Sequence, residues 1–464
     1  MKPKASSKEL GTKSIGSLLV KMGVPAAIGI LVMSINFIVD TIFVGRFVGT
    51  MGIAAITVVM PISFFFSSIG MAIGVGGASV ISRALGAGEH DKAVITLGNM
   101  ACLTVIMAIT VVSGGYFFDT PILQLFGAQG DILAPAQSYF GIVLTGIPCL
   151  AWAMMANNAM RAEGKPKNSM VSMLIPAITN IILDPILIVW LDMGLEGAAL
   201  ATTISYYAAA LYTLWFFVFG GSELKAFWNY LQLQWKVVRE IFSIGFVTLA
   251  RQGAVSLLTI VLNNALFQYG SELSVAIYGV INRVMMFANF PVLGVTQGFL
   301  PIAGYNYGAE QWKRVKDTIR IALVAGTGIA LIIFFGVMFF ARPLVALFTQ
   351  DPELLSQGPE ALRMVFLATP LITAQLVGSA YFQAVGKPIP ALFLTLTKQG
   401  FFLVPLVLTL PLFFQLDGVW YAFPVADILA ASVTLWALRR EIKRNLNSFI
   451  RQQAKETEKE KVLV

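Results

Sequence analysis

Charge is what this sequence has least of. Only 12% of its 464 residues are Asp, Glu, Lys or Arg, against 57% hydrophobic, and its mean hydropathy is +0.79. Soluble domains carry about 25% charged residues, so an ordinary soluble domain is excluded and an integral membrane protein is indicated. Histidine occurs once, His90 in a polar loop, which excludes zinc chemistry built on several histidines. The two cysteines, Cys102 and Cys149, both lie inside apolar runs; no disulfide framework is expected, and both read as buried small residues. No Walker sequence, H-E-x-x-H, G-x-S-G or G-x-G-D occurs. ATP is therefore not expected as an energy source, and the chain is not expected to be an enzyme or to need a cofactor. The polar, basic start "MKPKASSKELGTKSIGS" precedes an apolar run too long for a signal core and lacking a cleavage pattern.

What fills the chain instead is a series of apolar runs near or above the ~20 residues that cross a bilayer as a helix. They are 18–45, 53–82, 94–118, 136–160, 168–191 and 195–220, then 241–269, 273–304, 318–341, 361–385, 389–415 and 417–438. Their continuity excludes barrel strands, so twelve helical spans are predicted. The net charge of +8 is distributed by loop. Lys and Arg gather at the N-terminus, at Arg83 and Lys92, at Arg161, Lys165 and Lys167, at Lys225, Lys236 and Arg239, at Lys313–Arg320 and at Arg439–Arg444. The intervening loops are acidic, with Arg46, Arg342 and Arg363 as the only basic residues there. The positive-inside rule then puts both termini and every basic loop in the cytoplasm of a multi-pass plasma (inner) membrane protein. Nucleic acid is not an expected partner; membrane lipid is.

The spans fall into two copies of one design. "GAGEHDKAV" begins at Gly86 and "GAEQWKRV" at Gly308, a spacing of 222; Gly164-Lys165-Pro166 and Gly386-Lys387-Pro388 repeat at the same spacing. Pro121 with Leu125-Phe126 recurs as Pro343 with Leu347-Phe348, while Gly197 and Gly418 drift by one position. The expected organisation is a six-helix lobe over 1–222, a cytoplasmic linker at 223–235, a second six-helix lobe over 236–445 and a disordered tail at 446–464. An even number of spans per lobe makes the repeats parallel, an arrangement common in transporters.

Carboxylates inside such spans are costly and mark ion or proton pathways. Asp40 follows Asn36 in "SINFIVDTIFVG", and Asp184 follows Asn180 in "NIILDPILIVW". Both read Asn-x-x-x-Asp, which puts an amide and a carboxylate on one helical face. Such oxygens suit a hard cation. A proton suits them too, because burial and a second carboxylate both disfavour the charged form. The repeat supplies a control: the same offset carries these two acids onto Leu262 and Leu406, so the acids belong to the first lobe alone. Pro25 and Pro185 lie on the two acid-bearing spans, where a helix bend would move the site. The glycines of "GMAIGVGGASVISRALGAG" read as close helix packing. Met33, Met154, Met155, Met285, Met286, Phe37, Phe64 and Trp152 are candidates for an adaptable cleft lining. In the second lobe, Arg283 and Lys398 are expected to snorkel toward an interface.

These motifs, "NFIVDTIFVG", "RALGAG", "NYGA", "RAEGKPK", "NIILDP" and "QAVGKP", resemble in order and spacing those of the multidrug and toxic compound extrusion (MATE) family, in its DinF/MepA-like prokaryotic branch. The resemblance runs from about residue 15 to 445. It implies an all-α fold of twelve transmembrane helices in two pseudo-symmetric six-helix bundles. It also implies antiport of small-molecule drugs and lipophilic cations against protons or sodium, by a monomer alternating between inward- and outward-open states. The family's cation site maps onto Asp40, Asn180, Asp184 and Thr202, where Na+ would bind if sodium is the coupling ion, and its neighbouring polar network onto Asn36, Tyr139 and Asn157. Members of another branch keep acids in the seventh and tenth spans, where this chain has Arg251, Gln252 and Gln375. A lipid-linked precursor or oligosaccharide flippase of the same superfamily is the alternative, against which twelve spans and an acidic first lobe argue.

Overall fold

The computed structural model describes residues 6–463. The first five residues of the basic start and the last residue of the tail lie outside them. The chain is helical throughout its spans. In order these are α1 (Ile15–Phe47), α2 (Thr50–Ala87), α3 (His90–Phe117), α4 (Leu133–Ala162), α5 (Pro166–Trp190) and α6 (Gly194–Val218). The second set is α7 (Trp235–Tyr269), α8 (Glu272–Gly308), α9 (Trp312–Ala346), α10 (Pro352–Ala384), α11 (Pro388–Thr409) and α12 (Pro411–Glu441). Among the described residues eleven helices are long and apolar enough to cross a membrane. The twelfth, α6, has 25 residues, with Thr202, Thr203, Ser205, Tyr206 and Tyr207 diluting its apolar run. Number and order are those predicted; several helices overrun the apolar runs into the polar loops.

The repeat extends from sequence to backbone. After α2, Gly88 takes φ +78°, and its N–H bonds Leu85 O while that of Glu89 bonds Ala84 O. At the equivalent position after α8, Glu310 takes φ +54°, with Glu310 N–H on Tyr307 O and Gln311 N–H on Asn306 O. A left-handed residue with a side chain costs roughly 1–2 kcal/mol, and the same pair of carbonyl caps holds Glu310 there without a glycine.

Two compact units form. The first takes residues to Glu9 and Ile28–Leu249; the second takes Leu10–Ala27 and Ala250 onward. The chain therefore passes from one unit to the other inside α1, after Ala27, and inside α7, after Leu249, again at the spacing of the repeat. These boundaries differ from the lobe limits expected at residues 222 and 236. The core of the first unit includes Val59, Phe140, Ile147 and Ala198; that of the second includes Leu262, Ile281, Leu362 and Phe423. Small residues bring the helices of the first unit together: a Cβ at Gly70 would stand 2.5 Å from Ala151 O, and one at Gly76 2.1 Å from Ile241 O. The glycine run of α2 is a packing face.

The segment 223–235 is packed. It forms a 3-10 turn, Lys225–Tyr230, with Phe227 fully buried, and Gly98 of α3 lies against the carbonyls of Phe227 and Tyr230. The tail expected to be disordered is a helix, Asn447–Leu463. Its Gln, Lys, Glu and Ala are good helix formers, and Gln452 Nε2 donates to Glu456 Oε1 one turn on at 3.2 Å.

Candidate functional site

The polar residues of the first unit come from four helices. α1 presents Asn36 and Asp40, α5 presents Asn180 and Asp184, α4 presents Tyr139 and α6 presents Thr202. Pro185 sets the local geometry of α5. It has no N–H to give to Ile181 O, and from Pro185 to Trp190 the ladder widens to a π-helix, closed by Leu191 N–H on Ile186 O at 2.9 Å. Asp184 is thus the last residue of the α-helical part. It is fully buried, and its Oδ1 accepts from Asn180 Nδ2 at 3.1 Å.

The other oxygens are unmet. Asp184 Oδ2, Asp40 Oδ1 and Asn36 Oδ1 are all out of contact with solvent and none has a hydrogen-bond partner. The two acids are near enough for their charges to act on each other. Tyr139 is buried, feels both acids and is within side-chain hydrogen-bonding reach of Thr202. The one cation near Asp40 in sequence, Arg46, stands over the Phe47 ring with its guanidinium carbon 6.0 Å from the centroid. Tyr206, one turn after Thr202, also feels Asp40. Sequence reasoning missed it, although the spacing of four from Thr202 was the available signal.

Two predicted residues stand elsewhere. Asn157 lies five turns beyond Tyr139 on α4, ~27 Å along the helix. Its Nδ2 donates to Ser169 O at 2.6 Å and Ser172 Oγ at 2.9 Å, tying α4 to the start of α5. Pro25 belongs to the second unit, just before the crossing point in α1, and the helix runs through it unbroken. The position equivalent to Asp40 in the second unit, Leu262, is fully buried in that unit's core. Grease is what the scaffold itself puts there.

The arrangement is two carboxylates with the amides of Asn36 and Asn180, the phenols of Tyr139 and Tyr206 and the hydroxyl of Thr202 around them. Among the described residues no group of three or more His, Cys, Asp and Glu side chains is placed to hold a metal ion. Buried acceptors without donors cost free energy until something fills them.

Trp152 lines an apolar recess of about 840 Å³ within the first unit, shared with Cys102, Cys149 and Trp228, and its Nε1 donates to Thr213 Oγ1 at 3.1 Å. Both cysteines are half-buried free thiols facing that recess rather than core residues. Lys398 does not snorkel: its Nζ pairs with Asp427 Oδ1 at 2.5 Å inside the second unit.

The MatE family model matches the chain twice, over residues 25–186 and 249–409. The chain belongs to the MatE family. Its two matched segments start at nearly the internal spacing. The chain is similar to the multidrug export protein MepA of Staphylococcus aureus (strain MSSA476), 27% identical over 440 residues, covering 93% of this chain and 96% of that protein. Among solved structures, the MATE multidrug transporter DinF-BH, determined as a ligand complex, is 38% identical with a TM-score of 0.86, covering 95% of this chain and 98% of that one. A MATE in the straight conformation, 23% identical, shares the fold with a TM-score of 0.90 over 97% of this chain and 100% of that one. This MatE chain is a multi-pass membrane protein with the all-helical fold of those transporters.

Proposed function

We propose that the chain is a cation-coupled multidrug antiporter that exports bulky amphipathic and cationic compounds by alternating access. The observation that carries this reading is the pair of intramembrane acids Asp40 and Asp184, each with a solvent-shielded oxygen that no donor meets. A ligand shifts a conformational equilibrium only through its different affinity for the two states. A proton or sodium ion entering between two uncompensated acids supplies such a difference, since the charge it neutralises sits out of water. Asp40, Asn180, Asp184 and Thr202 hold the coupling ion; Asn36 and Tyr139 complete the polar lining, and Pro185 gives α5 its deformable turn. The drug side of the exchange rests on the relatives, one named a multidrug export protein and one a multidrug transporter solved with a ligand. The protein works as a monomer in the plasma membrane and needs no cofactor besides its coupling ion.

The test is uptake of a fluorescent lipophilic cation into proteoliposomes under an imposed pH gradient and then a sodium gradient. Wild-type protein should respond to one of them; Asp184→Asn and Asp40→Asn should lose at least ~10-fold of the driven rate at unchanged membrane insertion. Variants that transport like wild type would sink the coupling role. Translocation of a lipid-linked precursor without any dye exchange would replace the antiporter with a flippase.

A further inference from the structure

The second unit holds an intramembrane charge pair of its own. Lys398 lies midway along the 22-residue span α11, and Asp427 lies well before Arg439 on α12, ~18 Å of helix away from that basic end. Nζ and Oδ1 are 2.5 Å apart, with the side chains only 16% and 7% exposed. The scaffold does not require the pair, because the equivalent positions in the first unit, allowing for the one-residue drift between Gly197 and Gly418, are Pro176 and Tyr206.

The backbone around Lys398 is also unusual. Thr397–Leu403 is a π-helix, a feature that recurs at functional sites. Each unit has a π segment in its fifth span with an ionisable residue beside or inside it, Asp184 just before Pro185–Trp190 and Lys398 within Thr397–Leu403. The two segments do not fall at equivalent positions of the repeat. Thr395, one turn before Lys398, has a buried hydroxyl with no partner. Among the described residues Lys398 is the charged partner of Asp427; one turn before Asp427, Phe423 packs at 6.1 Å against the ring of Tyr278.

We propose that Lys398 and Asp427 form a second ion-responsive switch of the transport cycle, which opens when Asp427 takes up a proton. Removing one partner from a buried pair leaves an uncompensated charge, so the helices carrying these residues separate only if the acid is neutralised. In the step, water-borne H⁺ forms one O–H bond on the Asp427 carboxylate. The Lys398 ammonium keeps its three protons, gives up Oδ1 as acceptor and turns to Thr395 Oγ1 or water. No other bond changes. The inference rests on the antiport reading.

The decisive variant is the double neutral Lys398→Met with Asp427→Leu, which removes the pair without stranding a charge. It should melt in detergent as the wild type does, yet lose ~10-fold or more of gradient-driven dye uptake and bind about one proton fewer per cycle. Wild-type uptake and proton count in that variant would make the pair a static pin and overturn the proposal alone. A wild-type protein that shows no gradient-driven uptake would overturn the antiport reading with it. Should the double variant not accumulate, Asp427→Glu keeps both the pair and an acid. Its uptake should stay within ~3-fold of wild type while the pH profile moves; an unmoved profile overturns the switch.

Discussion

At the scale of single residues, three carboxylates define how this chain uses burial. Asp40 and Asp184 sit in spans with oxygens left open. Glu163, just past the end of α4, is fully buried but satisfied: Ser222 Oγ donates to both its oxygens at 2.9 and 3.1 Å, and Glu223 N–H donates at 2.8 Å. Glu223 in turn accepts from Ser7 Oγ at 2.6 Å and Ser6 Oγ at 3.0 Å. Burial pushes the Glu163 carboxyl up to about 8, against the opposing pull of the hydrogen bonds from Glu223 N–H and Ser222. The folded protein therefore holds a proton that the unfolded chain has already released in the window from 4.5 to about 8. By linkage, stability contributed by this group is present below that window and falls as pH rises through it, levelling off above. Melting temperature in detergent should drop by a few degrees over that range, and Glu163→Gln should flatten the dependence. Val385 stands at the equivalent position in the second lobe, so the effect belongs to the first unit.

At the scale of elements, helix contact is governed by what is missing from α2. Gly76 faces the carbonyl of Ile241, and Gly245 answers by facing Ala72 O, where a Cβ would come within 2.5 Å. Neither neighbour is a flexible side chain, so nothing cheap can move aside. Gly76→Leu should cost about 1–3 kcal/mol or more through overpacking, read as a lowered melting temperature and yield. Gly141→Ala, with open space around it, is the control that should leave both unchanged. This much was legible in the sequence, because a run of small residues inside an apolar span has few other uses. The π turns were not legible. Pro185 announces a lost hydrogen bond, but whether the ladder kinks or widens depends on what surrounds it, and Thr397–Leu403 widens with no proline inside it.

At the scale of the whole molecule, the repeat organises both the fold and its exceptions. An offset of 222 separates the turn glycines Gly164 and Gly386, the left-handed Gly88 and Glu310 and the points where the chain changes unit inside α1 and α7. Charge departs from it: acids in one unit, an acid–base pair in the other. The distribution of Lys and Arg over alternate loops makes a further prediction about topology. Reporter fusions at the C-terminus and after Lys167 should read as cytoplasmic, and fusions after Asp119 or Asp351 as external. An external C-terminus would overturn the assignment of every loop.

By itself the sequence determined the number of spans, their order, the duplication and the two acid-bearing helices. Each follows from one-dimensional pattern: hydrocarbon thickness sets run length, and a repeat needs only a constant offset. Tertiary structure decided which polar residues meet. Asn157, expected beside the acids, bonds Ser169 and Ser172 instead, Tyr206 joins the acids without having been singled out, and Lys398 finds Asp427 rather than an interface. The reason is that helical periodicity fixes the face a side chain occupies only within its own helix. Rotation and depth relative to the neighbours come from packing, and on these depends whether a buried charge is paired or left open for an ion.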